Sequence, residues 1–188
     1  SKKAAHLTAK MLAYAGKSVI SVKRKVDLTA ITQTSLALCG ASIGDNVEVR
    51  LDVAVDLPGV NADANQIQQI VINLITNSLE AIGPEKGSIT VRTGVEECDE
   101  RRLSANAAED SQCVPGRFVF LEVADTGCGI DEVDRKHLFE PFYTTRFLGR
   151  GLGLPAILGI VRSHKGAIFV DSAPGTGTTF QVLFPVGE

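Results

Sequence analysis

The segment from Asp63 to Gly83 carries the longest helical pattern in the chain, and it restricts the fold more than any other feature. Asp63 or Asn65 is suited to begin a helix there, and Gly83 followed by Pro84 is suited to end it. Such a one-sided helix is stable only when a second layer of structure covers its apolar face. That face consists of aliphatic residues at helical spacing: Ile67, Ile70, Val71, Leu74, Ile75, Leu79 and Ile82.

Two asparagines, Asn73 and Asn77, lie one turn apart on the polar side of this helix. Asparagine is a poor helix former because its amide competes for backbone hydrogen bonds, so the pair costs helix stability. An amide oxygen is a suitable ligand for Mg²⁺, which shares its coordination shell with waters and substrate phosphates. The pattern therefore predicts a metal and phosphate site, although a solvated face that uses amides explains the same residues.

Shorter helical patterns and alternating strands surround the long helix. Asp27 is suited to cap a helix that runs towards Gly40, and residues 3–18 show a further helical pattern. The polar residues 96–116 predict a long loop between two strands. Because strands and helices do not alternate regularly, we expect a two-layer α/β sandwich with a mixed sheet. The other predicted elements are strands at 47–53, 88–95, 117–125, 167–172 and 178–185, and helices at 132–139 and 153–164.

Two glycine-rich segments are candidates for ligand contact. Asp125 begins the first, Asp125-Thr126-Gly127-Cys128-Gly129, where a strand ends and its carboxylate can accept a hydrogen bond from an amine such as that of adenine. A plain turn explains the same residues. The second segment, 149–154, precedes a helix whose N-terminal N–H groups can hold phosphates. It matches neither a P-loop nor a dinucleotide fingerprint, so a different phosphate cradle is predicted.

Composition excludes several classes of partner. The net charge is −3 and the basic residues are scattered, so we expect no nucleic-acid partner. No apolar run approaches the length of a membrane span, which predicts a soluble fragment. The 4 cysteines form no CxxC pair, and we expect them to be reduced thiols in the cytoplasm.

Taken together, these blocks resemble the N, G1, F and G2 boxes of the histidine-kinase ATPase domain, whose superfamily also includes gyrase and mismatch-repair ATPases. The N box is similar to residues 73–81, the G1 box to 125–130, the F box to 138–142 and the G2 box to 149–154. Gly175-Thr176-Gly177-Thr178 resembles the last glycine turn of that domain. The order and spacing of the blocks also match.

The resemblance implies the Bergerat fold, in which ATP lies between helices and a mixed sheet under a mobile lid. It implies that Asn77 ligates Mg²⁺, that Asn73 supports the metal or phosphates, and that Asp125 binds the adenine amine. Residues 143–149 would form the lid, and Phe139 and Phe142 would anchor its base. The remaining implied ATP contacts are Gly127, Gly129, Ile130, Phe142, Thr144, Thr145, Arg146, Gly149, Arg150, Gly151, Leu152, Gly153, Leu154 and Thr178.

The resemblance also predicts what lies outside this sequence. The family's phosphate acceptor is a histidine followed by an acidic residue, and none of the 3 histidines, His6, His137 and His164, has that neighbour. Residues 1–25 resemble the second helix of a dimerisation hairpin of the hybrid type, and residues 26–188 would form the catalytic domain. His164 is expected to end its helix with a partial positive charge.

The implied activity is transfer of the γ-phosphate of ATP to a histidine on that hairpin and then to a response regulator, in a homodimeric full-length protein. Gyrase-type ATPases place a general-base glutamate where this chain has Asn73, which favours transfer over hydrolysis. Two alternatives stay open: an ATPase that hydrolyses ATP, and a nucleotide-binding module without phosphotransfer.

Overall fold

The structure, a computed structural model, describes residues 24–105, 113–143 and 153–187. Five helices and seven strands are named here in chain order. The helices are α1 (Leu28–Cys39), α2 (Ala64–Ile82), α3 (Glu100–Ser104), α4 (Glu132–His137) and α5 (Gly153–Ser163). The strands are β1 (Arg24–Val26), β2 (Val47–Val53), β3 (Val60–Ala62), β4 (Gly87–Cys98), β5 (Gly116–Asp125), β6 (Ala167–Ala173) and β7 (Gly177–Pro185).

The main sheet has five strands in the order β2-β4-β5-β7-β6. The β2–β4 pair is parallel and the other pairs are antiparallel, so the sheet is mixed. Helices α1, α2 and α5 pack together, and α2 and α5 also contact the sheet. The prediction of a two-layer α/β sandwich with a mixed sheet is therefore confirmed.

Helix α2 forms the centre of the core, as its periodicity predicts. Asp63 caps its N-terminus by accepting hydrogen bonds from the backbone N–H groups of Asn65 and Gln66. The side chain of Leu74 is fully buried against the inner face of the sheet. Burial of an aliphatic side chain of this size contributes about 1.5–3 kcal/mol, so the stripe on α2 holds the two layers together. Gly83 ends the helix at a φ of 62°, a conformation that glycine adopts readily.

The segment predicted as a long loop is ordered over much of its described length, so that prediction is wrong in part. Strand β4 continues to Cys98, Asp99 caps the short helix α3, and Cys113 packs near the start of β6. Together these residues cover a second apolar cluster on the outer face of the sheet, centred on Phe118 and Phe169. The guanidinium of Arg102 stacks 3.7 Å from the centroid of the Phe169 ring.

A small antiparallel sheet of β1 and β3 has no counterpart in the sequence prediction. Arg24 pairs with Ala62 and Val26 with Val60, so the chain before α1 is joined to the chain before α2. The predicted boundary between residues 25 and 26 falls inside β1. The helical pattern at 3–18 lies outside the described residues. Over the described part of the chain, no helix is both long and apolar enough to cross a membrane.

Candidate active site

Asp125, the last residue of β5, lies in a set of hydrogen bonds that fixes its carboxylate. Its Oδ1 accepts from the backbone N–H of Gly127 at 2.9 Å and from that of Thr178 at 3.2 Å. Its Oδ2 accepts from the hydroxyl of Ser78 on α2 at 3.0 Å. The side chain is nearly buried, with 8% exposure. A carboxylate held in this way has a fixed orientation before a ligand arrives, whereas a carboxylate in a solvated turn does not. It is therefore better suited to recognise a ligand.

The glycines that follow Asp125 are required by packing within the protein. A Cβ on Gly127 would lie 2.6 Å from the backbone carbon of Ala81 in α2. A Cβ on Gly129, whose φ is +70°, would lie 2.0 Å from the carbonyl oxygen of Ala173. That these glycines contact ATP stays a prediction, and the packing around them already gives a structural cause for their lack of side chains.

Several hydrogen bonds attach this loop to its surroundings. The N–H of Cys128 donates to the carbonyl of Ala81 at 3.0 Å, and the N–H of Gly175 donates to the carbonyl of Cys128 at 2.8 Å. The N–H of Ile130 donates to the hydroxyl of Ser172 at 2.9 Å, and the half-buried Ile130 side chain packs on the core. Helix α2, the loop and the β6–β7 turn therefore form one hydrogen-bonded unit.

The two predicted asparagines of α2 are half-buried, whereas Thr76 and Glu80 on the same helix are exposed. The Nδ2 atom of Asn73 is buried and has no hydrogen-bond partner among the described residues. The Oδ1 atom of Asn77 lies 3.9 Å from the position that a Cβ on Gly153 would occupy. Asn77 is thus next to the N-terminus of α5, and the adjacent Ser78 is bonded to Asp125.

The described residues include the last two of the predicted phosphate cradle, Gly153 and Leu154. Gly153 begins α5, and the side chain of Leu154 packs against the core. Pro155 is buried in the first turn, where proline is tolerated because its missing N–H has no partner inside the helix. The remaining candidates lie outside the described residues: Thr144, Thr145, Arg146, Gly149, Arg150, Gly151 and Leu152.

The two phenylalanines after α4 differ in their surroundings. Phe139 packs against the main core, whereas Phe142 is 59% exposed and has a φ of 68°. The next residue, Tyr143, donates its phenol hydrogen to Oδ1 of Asp134 on α4 at 2.5 Å. This hydrogen bond, together with desolvation, raises the pKa of Tyr143 to about 12. The segment is tied back to α4 by the tyrosine, while the Phe142 side chain points largely into solvent.

His164 follows α5 as predicted, but the expected positive charge is wrong. The residue is buried, with its Nδ1 atom 2.8 Å from the carbonyl of Ile160. Its Nε2 atom accepts a hydrogen bond from the N–H of Asp63 at 3.2 Å. A ring that donates at Nδ1 and accepts at Nε2 is neutral, so His164 links α5 to the start of α2 as a hydrogen-bonded core residue.

A small polar cleft opens at the ends of the central strands. Its lining includes Asp125, Thr178 and Ser172, together with Asp171 and Thr179. The asparagines of α2 are not among its lining residues. The hydroxyls of Ser172 and Thr178 are 2.9 Å apart, so the cleft wall is a connected polar network.

Two members of this site, Ser78 and Ser172, have no assigned role in the sequence prediction. Ser78 occupies the apolar side of α2, four residues after Leu74, and a hydroxyl within an aliphatic stripe was the signal available. Ser172 lies one residue before the end of β6, and nothing in the local sequence distinguishes it from an ordinary turn residue. The partner of each lies on a distant part of the chain, which the sequence pattern does not show.

Comparison with known proteins identifies the family of this chain. Residues 62–188 match the family described as histidine kinase-, DNA gyrase B-, and HSP90-like ATPase. Sensor kinase CckA of Brucella abortus is 34% identical over 186 residues, and sporulation kinase E of Bacillus subtilis is 32% identical over 162 residues. These alignments cover 97% and 86% of this chain, but 19% of each relative. The chain therefore spans about a fifth of the length of the curated relatives it matches.

Solved structures give the same result for the fold. The mycobacterial sensor histidine kinase MprB superimposes with a TM-score of 0.67 at 25% identity, over 87% of this chain and 97% of that one. The catalytic domain of histidine kinase ThkA gives 0.68 at 25% identity, over 87% of this chain and 95% of that one. With its mixed sheet and its match over residues 62–188, this chain belongs to the histidine kinase-, DNA gyrase B- and HSP90-like ATPase family.

Proposed function

We propose that this domain binds Mg-ATP and, in a sensor histidine kinase, transfers the γ-phosphate to a histidine outside this chain. The observation that carries the proposal is the junction on α2. There Ser78 bonds to the Asp125 carboxylate, and the adjacent Asn77 lies beside the start of α5. The proposed purine reader, Asp125, thereby contacts the residue of α2 that follows the proposed metal ligand, Asn77.

Asp125 is the proposed reader of the purine amine. Its carboxylate is nearly buried and is oriented by donors from α2, from its own loop and from β7. A buried acceptor with a fixed direction selects a ligand that donates an N–H there and penalises one that cannot. Thr178 and Ile130 flank the same loop and are proposed to complete the purine contact.

The α2 asparagines fit a magnesium and phosphate role. Mg²⁺ takes oxygen ligands and keeps waters and phosphates in its shell, so the Asn77 amide oxygen is a suitable protein ligand. Asn73 presents a buried Nδ2 donor without a partner, which a phosphate oxygen or bound water would satisfy. When bound, Mg²⁺ would neutralise charge on the phosphate oxygens during transfer.

The N-terminus of α5 supports binding of the phosphates. Gly153 begins the helix close to Asn77, and the free N–H groups of a helix start favour anionic oxygens. We extend this cradle to Gly149, Arg150, Gly151 and Leu152, with Thr144, Thr145 and Arg146 beside it. Phe142, exposed just before that stretch, is proposed to contact the nucleotide or the lid.

The residues of the site favour transfer to an external nucleophile. The position that carries a general base in hydrolysing relatives is Asn73 here, and an amide does not take up a proton from water. An acceptor imidazole supplies its own lone pair, so the domain contributes mainly position and charge stabilisation. We further propose the hairpin histidine of the same or partner subunit as acceptor, a response-regulator receiver domain as next recipient, and a homodimeric full-length protein.

Phosphotransfer to a separately supplied acceptor hairpin tests this function. With radiolabelled γ-phosphate and saturating Mg-ATP, the wild type is expected to produce acid-labile, alkali-stable phosphohistidine on the hairpin. The Asn77→Ala variant is expected to lose at least tenfold in rate, and Thr76→Ala, an exposed neighbour on α2, is expected to match the wild type. Absence of phosphohistidine would contradict the kinase proposal. Steady release of inorganic phosphate that depends on Asn73 would instead favour the hydrolysing ATPase.

A further inference from the structure

Ser78 is the polar residue that departs from the pattern of α2. It lies on the apolar side of the helix with 1% exposure, among aliphatic neighbours. Its hydroxyl donates to Oδ2 of Asp125 at 3.0 Å, across 47 residues of sequence. A buried hydroxyl in a core costs stability unless it is hydrogen-bonded, so its partner explains how it is accommodated there.

The two buried hydroxyls of α1 are accommodated differently. In α1, Thr32 donates to the carbonyl of Leu28 at 2.8 Å, and Ser35 donates to that of Ile31 at 2.7 Å. That bond to the preceding turn is the ordinary way in which a helix satisfies a buried serine or threonine. Ser78 instead bonds to a side chain on another element, and that side chain is the carboxylate of the candidate site.

The hydrogen bonds that Asp125 accepts from Gly127, Thr178 and Ser78 are divided between its two carboxylate oxygens. The N–H groups of Gly127 and Thr178 both contact Oδ1. Ser78 contacts the other oxygen, Oδ2, and so contributes to fixing the plane of the carboxylate. Because hydrogen bonding to a purine amine depends on the direction of the acceptor, loss of that third contact weakens recognition without removing the carboxylate.

We infer that Ser78 is a positioning residue that orients the Asp125 carboxylate for the exocyclic amine of the nucleotide base. The inference rests on the proposed function, since it requires that Asp125 read the base. Under this inference Ser78 contributes to base selectivity, whereas the adjacent Asn77 is the proposed metal ligand. One turn of α2 then acts on the phosphates and metal through Asn77 and on the base through Ser78.

The test compares Mg-ATP with Mg-purine riboside triphosphate, which is the same nucleotide without the 6-amino group. Calorimetric titration of wild type and Ser78→Ala gives the ratio of the two dissociation constants for each protein. The wild type is expected to prefer ATP by at least tenfold, as expected for a hydrogen bond to a charged group. In Ser78→Ala, ATP binding is expected to weaken roughly five- to tenfold, with the amine-free nucleotide changed less than twofold.

Two further variants separate positioning from folding. Ser35→Ala removes a buried serine hydroxyl that bonds within α1, and it is expected to keep the wild-type ratio. Ser78→Thr retains a hydroxyl and is expected to restore most of the preference for ATP. Thermal melting of each variant is measured alongside, and the ratio between ligands cancels any loss of folded protein.

The outcomes distinguish this inference from the function on which it rests. If the wild type binds both nucleotides equally, or if Asp125→Ala keeps the preference, then Asp125 does not read the amine and the proposed site is wrong. If Asp125→Ala abolishes the preference but Ser78→Ala keeps it, the positioning role of Ser78 is wrong and the site stands. If Ser78→Ala lowers the ratio in the wild-type background and leaves it unchanged in the Asp125→Ala background, the inference holds.

Discussion

Both the backbone conformation at position 129 and the packing around it require a glycine. Its φ of +70° is unfavourable for side-chain-bearing residues, and a Cβ there would lie 2.0 Å from the carbonyl oxygen of Ala173. That carbonyl belongs to the last residue of β6, so a side chain would push the β6–β7 turn away from Asp125. Gly129 is thus needed for the Asp125 carboxylate to accept the hydrogen bond from the N–H of Thr178.

Replacement of Gly129 tests this account at the residue scale. Gly129→Ala is expected to lower the free energy of unfolding by about 2–4 kcal/mol, because strain at positive φ adds to a backbone collision. Gly175→Ala is the matched control, since its φ is +75° with nothing within 4 Å of the added Cβ. The control is expected to cost only about 1 kcal/mol. If urea denaturation shows equal losses of the free energy of unfolding for the two variants, an added Cβ at position 129 does not collide with Ala173.

At the scale of elements, α4 and the residues that follow it are tied by one strong side-chain contact. Tyr143 reaches back to Asp134 at 2.5 Å, and the His137 ring lies 5.2 Å from the Tyr143 ring. The phenol donates this hydrogen bond only while it is protonated. Its folded-state pKa of about 12 exceeds the ordinary value near 10, so the contact contributes below about pH 10 and is lost as the pH rises through 12.

Absorbance titration checks the state of this tyrosine. The chain has 2 tyrosines, so a Tyr14→Phe background isolates Tyr143. Its phenolate absorbance is expected to appear with a midpoint near 12, and Asp134→Asn is expected to move that midpoint towards 10 by removing the largest cause of the shift. A midpoint near 10 in both proteins would mean that the contact does not form in solution.

Elements with strong periodicity were predictable from sequence, and those fixed by distant partners were not. The caps at Asp27 and Asp63 and the aliphatic stripe of α2 are local signals, and the helices form where these signals indicate. Helix α3 has no apolar stripe, because its contact with the sheet is made largely through Arg102 stacked on Phe169. Strand β1 is three residues long, too short for alternation to be visible, and it depends on pairing with β3.

The candidate site divides in the same way. Asn73 and Asn77 were candidates from the sequence because a pair of asparagines is unusual within a helix, and Asp125 was a candidate because it opens a glycine-rich segment where a strand ends. The roles of Gly127 and Gly129 in packing against Ala81 and Ala173 depend on contacts between distant segments, which no local pattern shows.

At the scale of the whole molecule, the two faces of the main sheet have different structural roles. The inner face packs on α2 and α5 and, with them, places the candidate site at one end of the central strands. The outer face carries its own cluster around Phe118 and Phe169, closed by α3 and by the salt bridge of Arg102 with Glu96 at 2.7 Å. The segment between β4 and β5 therefore has a structural role in covering apolar surface.

The central claim is that Asp125 and Asn77 serve a single nucleotide, and calorimetric titration with ATP tests it most directly. In the presence of Mg²⁺, Asp125→Asn and Asn77→Ala are each expected to bind ATP at least tenfold more weakly than the wild type. With Mg²⁺ chelated, the wild type is expected to fall to the affinity of Asn77→Ala, and that variant is expected to change little. If both variants bind Mg-ATP as tightly as the wild type, the site does not lie where α2 meets the end of β5.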